Sequence, residues 1–233
     1  MKLGIIGAMH EEVDLLVESM GNVRRTTLAG MEFFEGVLEG TPAVVAYCGM
    51  GKVCAAVCAQ VMVDRHEATH LVFTGVAGSL SSELRIGDLV VSTDCIHHDM
   101  DGAGLGHPLG ENPDLGMLEF PADEGLRALA VEAAREVAPE ANVIEGRVAT
   151  GDQFVADAAL KDRIVELFGA VCCEMEGAAV AQTAWHNGLP YVVIRSISDN
   201  ADDDSTVDFR TFLESSARIS AQIVEHMAGH ISC

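Results

Sequence analysis

Residues 2–20 read KLGIIGAMHEEVDLLVESM, and they join two patterns that together indicate the fold class. The first, residues 2–7, is a short apolar run with the length of a buried β-strand. The second, residues 11–20, places Val13 and Leu16 at the spacing of one helical face, which predicts an amphipathic α-helix. A strand followed directly by a helix is the unit from which mostly parallel sheets are built.

The same alternation of strand and helix patterns continues along the chain. Further strands are predicted at residues 43–48, 71–74, 87–97, 143–150, 170–173 and 191–196, with a strand pair at residues 26–38. Further helices are predicted at residues 52–65, 124–137, 156–168, 176–187 and 209–227. This order predicts an α/β fold of three layers, α/β/α, in which helices cover both faces of a central sheet. Because the early strand pair is antiparallel, the sheet should be mixed.

The chain shows no internal boundary. No stretch rich in proline, serine or charge divides it, so residues 1–233 are expected to form a single domain. One long connection, residues 102–121, is dense in glycine and proline and lacks periodicity. Connections of this length are uncommon in compact domains, so we expect it to be functional or to pack against another chain.

Composition and charge exclude several classes of protein. Lysine and arginine total 14 against 36 for aspartate and glutamate, which gives a formal net charge of −22. Such a chain repels nucleic acid and anionic lipid, so neither is an expected partner. The apolar runs are strand-sized, far below the roughly 18 residues of a membrane span. Seven cysteines without a CxxC motif favour a reducing cytoplasm and free thiols rather than a metal site.

Polar segments follow the apolar runs, where open α/β sheets bind their ligands. Nucleotide and hydrolase signatures are missing there, since the chain contains no GxGxxG, P-loop or GxSxG motif. Carboxylates dominate instead, at Glu11, Glu12, Glu174, Glu176 and Asp199. Simpler roles also fit these residues, because glutamates favour a helix N-terminus and aspartate often caps a helix or closes a turn.

Four separated segments carry a more specific signal. They read GIIGAMHEE (residues 4–12), GDQF (151–154), EMEGA (174–178) and RSISD (195–199). In this order and spacing they resemble bacterial 5′-methylthioadenosine/S-adenosylhomocysteine nucleosidases, and the resemblance extends to about residue 227. It implies a nucleoside phosphorylase-like fold and a cofactor-free hydrolysis that cleaves the N-glycosidic bond of an adenine nucleoside with water.

The resemblance implies a task for each catalytic position. Asp199, oriented by Ser198, would protonate N7 of the leaving adenine, because adenine is a poor anion. Glu12 would act as the base on the attacking water, with Arg195 helping to orient that water. Glu176 would accept hydrogen bonds from the ribose hydroxyls and favour the oxocarbenium-like charge of the transition state.

The resemblance also implies the residues that surround the substrate. Phe154 would stack on adenine while the backbone of Val155 reads the edge of the base. The other implied contacts are Met9, Met50, Val76, Ala77, Gly78, Met175 and Phe209. Soft methionine side chains suit a 5′-alkylthio group, although methionine is also an ordinary core residue.

Two departures from the common family pattern bear on the substrate. Val76 stands where the family often has serine, which removes a hydroxyl near the water. Residues 98–110 resemble the form found in bacteria that make menaquinone through futalosine, whose enzymes also hydrolyse 6-amino-6-deoxyfutalosine. There the loop reaches the neighbouring subunit, which implies a homodimer in which Leu105 and His107 contact the partner's substrate. A surface position for His107 remains the alternative.

Two other functions stay open at this point. A purine nucleoside phosphorylase of the same fold would bind phosphate opposite the base, where Glu12 and Met9 are unfavourable to a dianion. A nonenzymatic nucleoside-binding protein would share the fold without needing Asp199 or Glu12, and both are present.

Overall fold

A ten-stranded sheet runs through the computed structural model, which describes residues 1–202 and 205–231 and, of residues 12, 205–210 and 213, the backbone only. The strands are β1 (Leu3–Gly7), β2 (Gly21–Leu28), β3 (Met31–Leu38), β4 (Thr41–Tyr47), β5 (His70–Ser79), β6 (Leu89–His97), β7 (Glu119–Pro121), β8 (Val143–Thr150), β9 (Cys172–Glu174) and β10 (Tyr191–Asp199). The helices are α1 (His10–Ser19), α2 (Lys52–His66), α3 (Glu124–Val137), α4 (Ala158–Phe168), α5 (Gly177–Asn187) and α6 (Ser205–His230).

Strand β1 lies inside the sheet, with β4 on one side and β5 on the other, both parallel to it. Its residues Leu3, Ile5 and Ile6 are almost completely buried. A parallel strand that is covered on both faces needs apolar residues pointing both ways, which explains why this run shows no alternation. The predicted strand at the start of the chain and the helix after it are both confirmed.

Part of the sheet closes on itself. In the described chain, β10 pairs in parallel with β5 and antiparallel with β6, and the path through β8 and β9 returns to β5. The hairpin of β2 and β3 extends the other end of the sheet through antiparallel pairing with β4. Parallel and antiparallel pairs therefore occur in one sheet, as the early strand pair predicted.

Helices cover both faces of the sheet. On one face α1, α3 and α6 bury side chains such as Leu16, Ala130 and Val224 in a cluster that includes residues of β1. On the other face α2 and α5 pack through small residues, among them Ala59 and Ala181. Small side chains let these two helices approach each other and the strands closely. The predicted three-layer α/β/α arrangement is confirmed.

Two strands run farther than the sequence predicted. Strand β5 continues through residues 75–78, although the glycines at 75 and 78 led to the prediction that the strand ends before them. Strand β10 continues to Asp199. The reason is their mutual pairing, which extends to the register of Asp199 with Gly78. Backbone hydrogen bonds hold this segment extended, so Ser198 and Asp199 belong to a strand rather than to a loop.

The connection at residues 102–121 is not the continuous loop that was predicted. It contains a short 3₁₀ helix, Ala103–Leu105, and ends in β7, which pairs with β6. Phe120 of β7 is almost fully buried, and its carbonyl accepts a hydrogen bond from the hydroxyl of Tyr191. The many glycines and prolines around it masked this strand. Packing of the segment against another chain stays a prediction.

The described residues also bear on membranes and metals. No helix among them has both the length and the hydropathy needed to cross a bilayer. They contain no group of three or more His, Cys, Asp or Glu side chains arranged to hold a metal ion. The cysteines at positions 48, 54, 58, 95, 172 and 173 are free thiols.

We expect Glu35 of β3 to stabilise the fold in a pH-dependent way. Hydrogen bonds from Lys2 and from Arg24, the latter at 2.6 Å, lower the pKa of Glu35 from 4.5 to about 2. A depressed carboxyl pKa contributes stability that is fully present above pH 4.5 and is lost as the pH falls towards 2. Urea unfolding of Glu35→Gln should show a loss of about 1 kcal/mol at pH 7, since the group is partly solvated.

That loss should shrink between pH 5 and pH 3, whereas Glu83→Gln, at an exposed glutamate, should change little at any pH. A loss for Glu35→Gln that does not vary with pH would contradict the assignment to ion pairing.

Candidate active site

A cavity opens at the carboxyl ends of the strands, where ligands of this fold class bind. It encloses about 580 Å³ when the open solvent at its mouth is included, and it is formed by the ends of β5, β9 and β10 and by the segments after β1, β4 and β8. Its described lining residues are Ala8, Met9, Met50, Val76, Ala77, Gly78, Gln153, Phe154, Val155, Cys173, Glu174, Met175, Glu176, Ser198 and Asp199. Apart from a few polar groups this lining is apolar, as is usual for small-molecule sites.

Most side chains that the sequence predicted as site residues meet in this cavity. They are Met9, Met50, Val76, Ala77, Gly78, Phe154, Val155, Met175, Glu176, Ser198 and Asp199. The polar groups are mainly carboxylates, and neither lysine nor arginine occurs among the described lining residues. The cavity is therefore suited to a neutral or cationic ligand and unfavourable to an anion.

Asp199, the last residue of β10, is 2% exposed and held from two sides. The Ser198 hydroxyl donates to its Oδ2 at 2.9 Å, and the Ala201 amide donates to its Oδ1 at 2.9 Å. Gly78 of β5 faces it, and a Cβ at that position would lie 2.8 Å from Oδ1. Because no side chain other than hydrogen fits there, Gly78 lets the carboxyl group sit against the strand.

Glu176 precedes α5 and is also buried. Its Oε1 accepts a hydrogen bond of 2.7 Å from the amide of Gly51, at the N-terminus of α2. The first amides of a helix have no partner within the helix, and they carry the positive end of its dipole. The α2 N-terminus thus holds this carboxylate in the cavity.

Glu174 and Arg195 form a buried ion pair. The Arg195 guanidinium donates to Glu174 and lies 4.0 Å from the ring centre of Phe73. Glu174 also accepts hydrogen bonds from the Thr150 hydroxyl and from the amide of Gly177, at 2.9 and 2.7 Å to its two oxygens. Arg195, expected beside the water, does not line the cavity and is bound to Glu174 instead.

Four lining residues were missing from the predicted set: Ala8, Gln153, Cys173 and Glu174. Ala8, Gln153 and Glu174 each adjoin a predicted residue, and Cys173 lies two positions before Met175, so closeness in sequence was the available signal. Burial, with the charge of Asp199, raises the pKa of the Cys173 thiol far above its ordinary value, and its Sγ donates to the Gly78 carbonyl at 3.7 Å. This cysteine therefore lines the cavity as a neutral thiol, and a neutral thiol is a poor nucleophile.

Other predicted site residues lie elsewhere or cannot be placed. Leu105, 80% exposed, and His107 belong to the connection after β6 and do not line this chain's cavity. The His107 Nδ1 lies 3.0 Å from a carboxylate oxygen of Glu111. Glu12 and Phe209 belong to α1 and α6, and their side chains lie outside the described part of the structure.

Comparison with known proteins identifies the family. The family model described as the phosphorylase superfamily matches residues 2–228. The chain belongs to the phosphorylase superfamily. The 5′-methylthioadenosine/S-adenosylhomocysteine nucleosidase of Shewanella halifaxensis is 42% identical over 229 residues, which cover 96% of this chain and 97% of that protein.

Solved structures of the superfamily give the same result. The nucleosidase of that name from Neisseria meningitidis, in complex with methylthio-immucillin-A, has a TM-score of 0.95 at 35% identity, covering 99% of both chains. Futalosine hydrolase of Helicobacter pylori has a TM-score of 0.93 at 38% identity, covering 99% of this chain and 98% of that chain. The resemblance inferred from four sequence segments is confirmed.

In this superfamily member, removing one partner of the Glu174–Arg195 pair should be strongly destabilising. Glu174→Gln would leave the buried guanidinium without its counter-charge, which costs about 3–5 kcal/mol in buried pairs. Urea unfolding at pH 7 measures the loss. As a control, Glu145→Gln removes the partner of Arg127 in a partly exposed pair at 2.6 Å and should cost below about 1 kcal/mol. Similar losses in both variants would show that the buried pair has no special role.

Proposed function

We propose that this superfamily member hydrolyses the N-glycosidic bond of 5′-methylthioadenosine and S-adenosylhomocysteine, releasing adenine. The observation that carries the proposal is an apolar cavity with two carboxyl groups held at fixed places. Ser198 holds the carboxyl group of Asp199, and the Gly51 amide holds that of Glu176. Nucleosidases of this name match the chain from end to end. The enzyme acts as one domain in the cytoplasm and uses water without a cofactor.

The base end of the substrate lies at Asp199. Adenine leaves poorly as an anion, so Asp199 donates a proton to N7 as the glycosidic bond breaks. The hydrogen bonds from Ser198 and from the Ala201 amide fix the carboxyl group, and orientation of this kind lowers the barrier. Phe154 stacks on the base, and the backbone of Val155 reads its edge.

The ribose lies at Glu176. This carboxylate accepts hydrogen bonds from the ribose hydroxyls while the Gly51 amide keeps it in place. As the bond to adenine breaks, positive charge develops on the ribose, and a fixed negative group nearby stabilises it. Val76, Ala77 and Gly78 form the adjoining wall of the cavity.

Water attacks the face of the ribose opposite adenine. Glu12, in the first turn of α1, is the base that accepts its proton. Arg195 lies outside the cavity lining and assists indirectly, through its ion pair with the lining residue Glu174. Because Val76 has no hydroxyl, water binding relies on these two groups. Met9, Met50, Met175 and Phe209 surround the 5′-alkylthio group, and methionine adapts well to a thioether.

The carboxylate lining also favours hydrolysis over phosphorolysis. A phosphorylase must bind a phosphate dianion beside the ribose, and there the described lining offers the Glu176 carboxylate but no lysine or arginine. A carboxylate at such short range repels a dianion strongly in a site of low dielectric. Water, which is neutral, meets no such barrier.

The decisive variant is Asp199→Asn. An amide cannot transfer a proton to N7, and general acid catalysis contributes about 10²- to 10⁴-fold, so kcat for adenine release from methylthioadenosine should fall by that factor. Glu12→Gln should be similarly damaging. The matched control is Asp162→Asn on the exposed side of α4, which should leave kcat unchanged. Retention of more than about a tenth of kcat in Asp199→Asn would contradict the proposed acid.

We further propose a homodimer in which residues 102–110 complete the 5′ end of the partner's cavity. Two features support it: Leu105 is largely exposed on this segment, and α2 exposes the apolar side chains of Val53 and Val57. In that arrangement His107 contacts a polar 5′ group, so 6-amino-6-deoxyfutalosine is also hydrolysed. The similarity to futalosine hydrolase supports this substrate.

His107→Ala should therefore lower kcat/KM for 6-amino-6-deoxyfutalosine by more than for methylthioadenosine, because only the former offers a polar 5′ group. One hydrogen bond contributes about 0.5–1.5 kcal/mol, so the ratio of the two kcat/KM values should change by about 2- to 13-fold. His230→Ala, at an exposed histidine of α6, is the control. A heterodimer of one His107→Ala subunit and one Asp199→Asn subunit should recover the lost specificity. Its one working active site, in the His107→Ala subunit, is then completed by the intact His107 of the other subunit. Equal losses on both substrates would make His107 a surface residue.

A further inference from the structure

Three hydrogen bonds form a closed ring beside the cavity. The Lys52 amide donates to Asp152 Oδ1 at 2.9 Å, and the Asp152 amide donates to Asp99 Oδ2 at 2.9 Å. The Lys52 Nζ then donates to Asp99 Oδ1 at 2.6 Å, which closes the ring. None of these residues is among those lining the cavity.

The ring joins three segments that the fold brings together from distant parts of the chain. Lys52 is the first residue of α2, directly after the Gly51 amide that holds Glu176. Asp152 directly precedes the lining residues 153–155, and Asp99 follows β6. The α2 N-terminus therefore binds two carboxylates, one on the ribose side of the cavity and one on the loop at its base side.

We propose that Lys52 and Asp99 are positioning residues that fix the adenine-binding loop relative to Glu176. They do this without touching the substrate, by tying Asp152 to the helix that holds the ribose carboxylate. The proposal rests on the proposed function for the identity of the base, and it assigns to these two residues the fixed position of the loop that binds the base.

The local packing leaves the loop little freedom. Gly51 has φ of 95°, and a Cβ there would lie 3.1 Å from Asp152 Oδ1, so only glycine allows this close approach. On the other side, a Cβ at Gly151 would lie 2.2 Å from His98 Nε2, so the loop backbone rests directly on that ring. The three hydrogen bonds hold the loop between the Gly51 backbone and the His98 side chain.

The ring contains one cation, Lys52, and two carboxylates, and the closer ion pair, Lys52 with Asp99, is the better covered one. The Lys52 and Asp99 side chains are 21% and 19% exposed, whereas Asp152 is more open at 51%. Burial alone would raise the pKa of Asp99, but the Lys52 hydrogen bond and the Asp152 amide outweigh it and lower the pKa below its ordinary value. Asp99 is therefore ionised at neutral pH, as the ring requires.

The test compares Asp99→Ala, Lys52→Met and the double variant with wild type. Lys52→Met keeps the hydrogen bond from the backbone amide of residue 52 to Asp152 and removes only the ammonium group. The measurements are the Kd of free adenine by calorimetry, KM and kcat with methylthioadenosine, and Tm. Glu145→Gln, which breaks the Arg127 pair on another part of the surface, is the control.

Each single variant should raise the adenine Kd and KM by about tenfold, since small misplacement of a binding group costs up to about a hundredfold. The double variant should be no worse than the worse single one, because both remove the same link. Lys52→Arg, which restores a cation, should recover most of the binding. Should Asp99→Ala not fold, Lys52→Met carries the same comparison.

An unchanged adenine Kd in folded variants, or a fall in Tm alone as in the control, would overturn the proposal. Independent effects of Lys52 and Asp99 that multiply in the double variant would also overturn it. Failure of the proposed function is distinguishable, because then wild type would not release adenine from methylthioadenosine. A raised adenine Kd in the variants would still support the positioning role.

Discussion

The ion pair between Glu174 and Arg195 is the interaction on which the arrangement of the cavity depends. Both residues are almost fully buried, and a charge in such a place is tolerated only with a partner and further hydrogen bonds. Glu174 has both, since Thr150 and the amides of Glu176 and Gly177 also donate to it. These bonds tie the ends of β8 and β9 and the middle of β10 to the start of α5.

From this pair the rest of the site follows in two steps. The amide of Glu176 donates to Glu174, so the pair fixes the backbone from which the Glu176 side chain reaches the Gly51 amide of α2. On β10, Arg195 lies four residues before Asp199, and pairing with β5 sets the register that places Asp199 against Gly78. Two carboxylates are thereby held across one apolar cavity, and the charge of Arg195 is balanced by Glu174.

Much of this could be predicted from sequence because the signals are local. Apolar runs and helical spacing located β1, α1 and most other elements, and residues 174–176 and 195–199 marked the carboxylates. The extension of β5 could not be predicted, because glycines look like a strand end until β10 is known to pair with them. The bond of Arg195 to Glu174 was missed for a similar reason, since it joins residues 21 positions apart whose contact depends on sheet closure.

The central claim is that the cavity uses water and excludes phosphate. The most direct measurement follows adenine release from methylthioadenosine with and without inorganic phosphate, in water enriched in oxygen-18, and identifies the sugar by mass spectrometry. The account predicts a rate independent of phosphate and free methylthioribose with one heavy oxygen from water. A rate that requires phosphate, with methylthioribose 1-phosphate as the product, would contradict it.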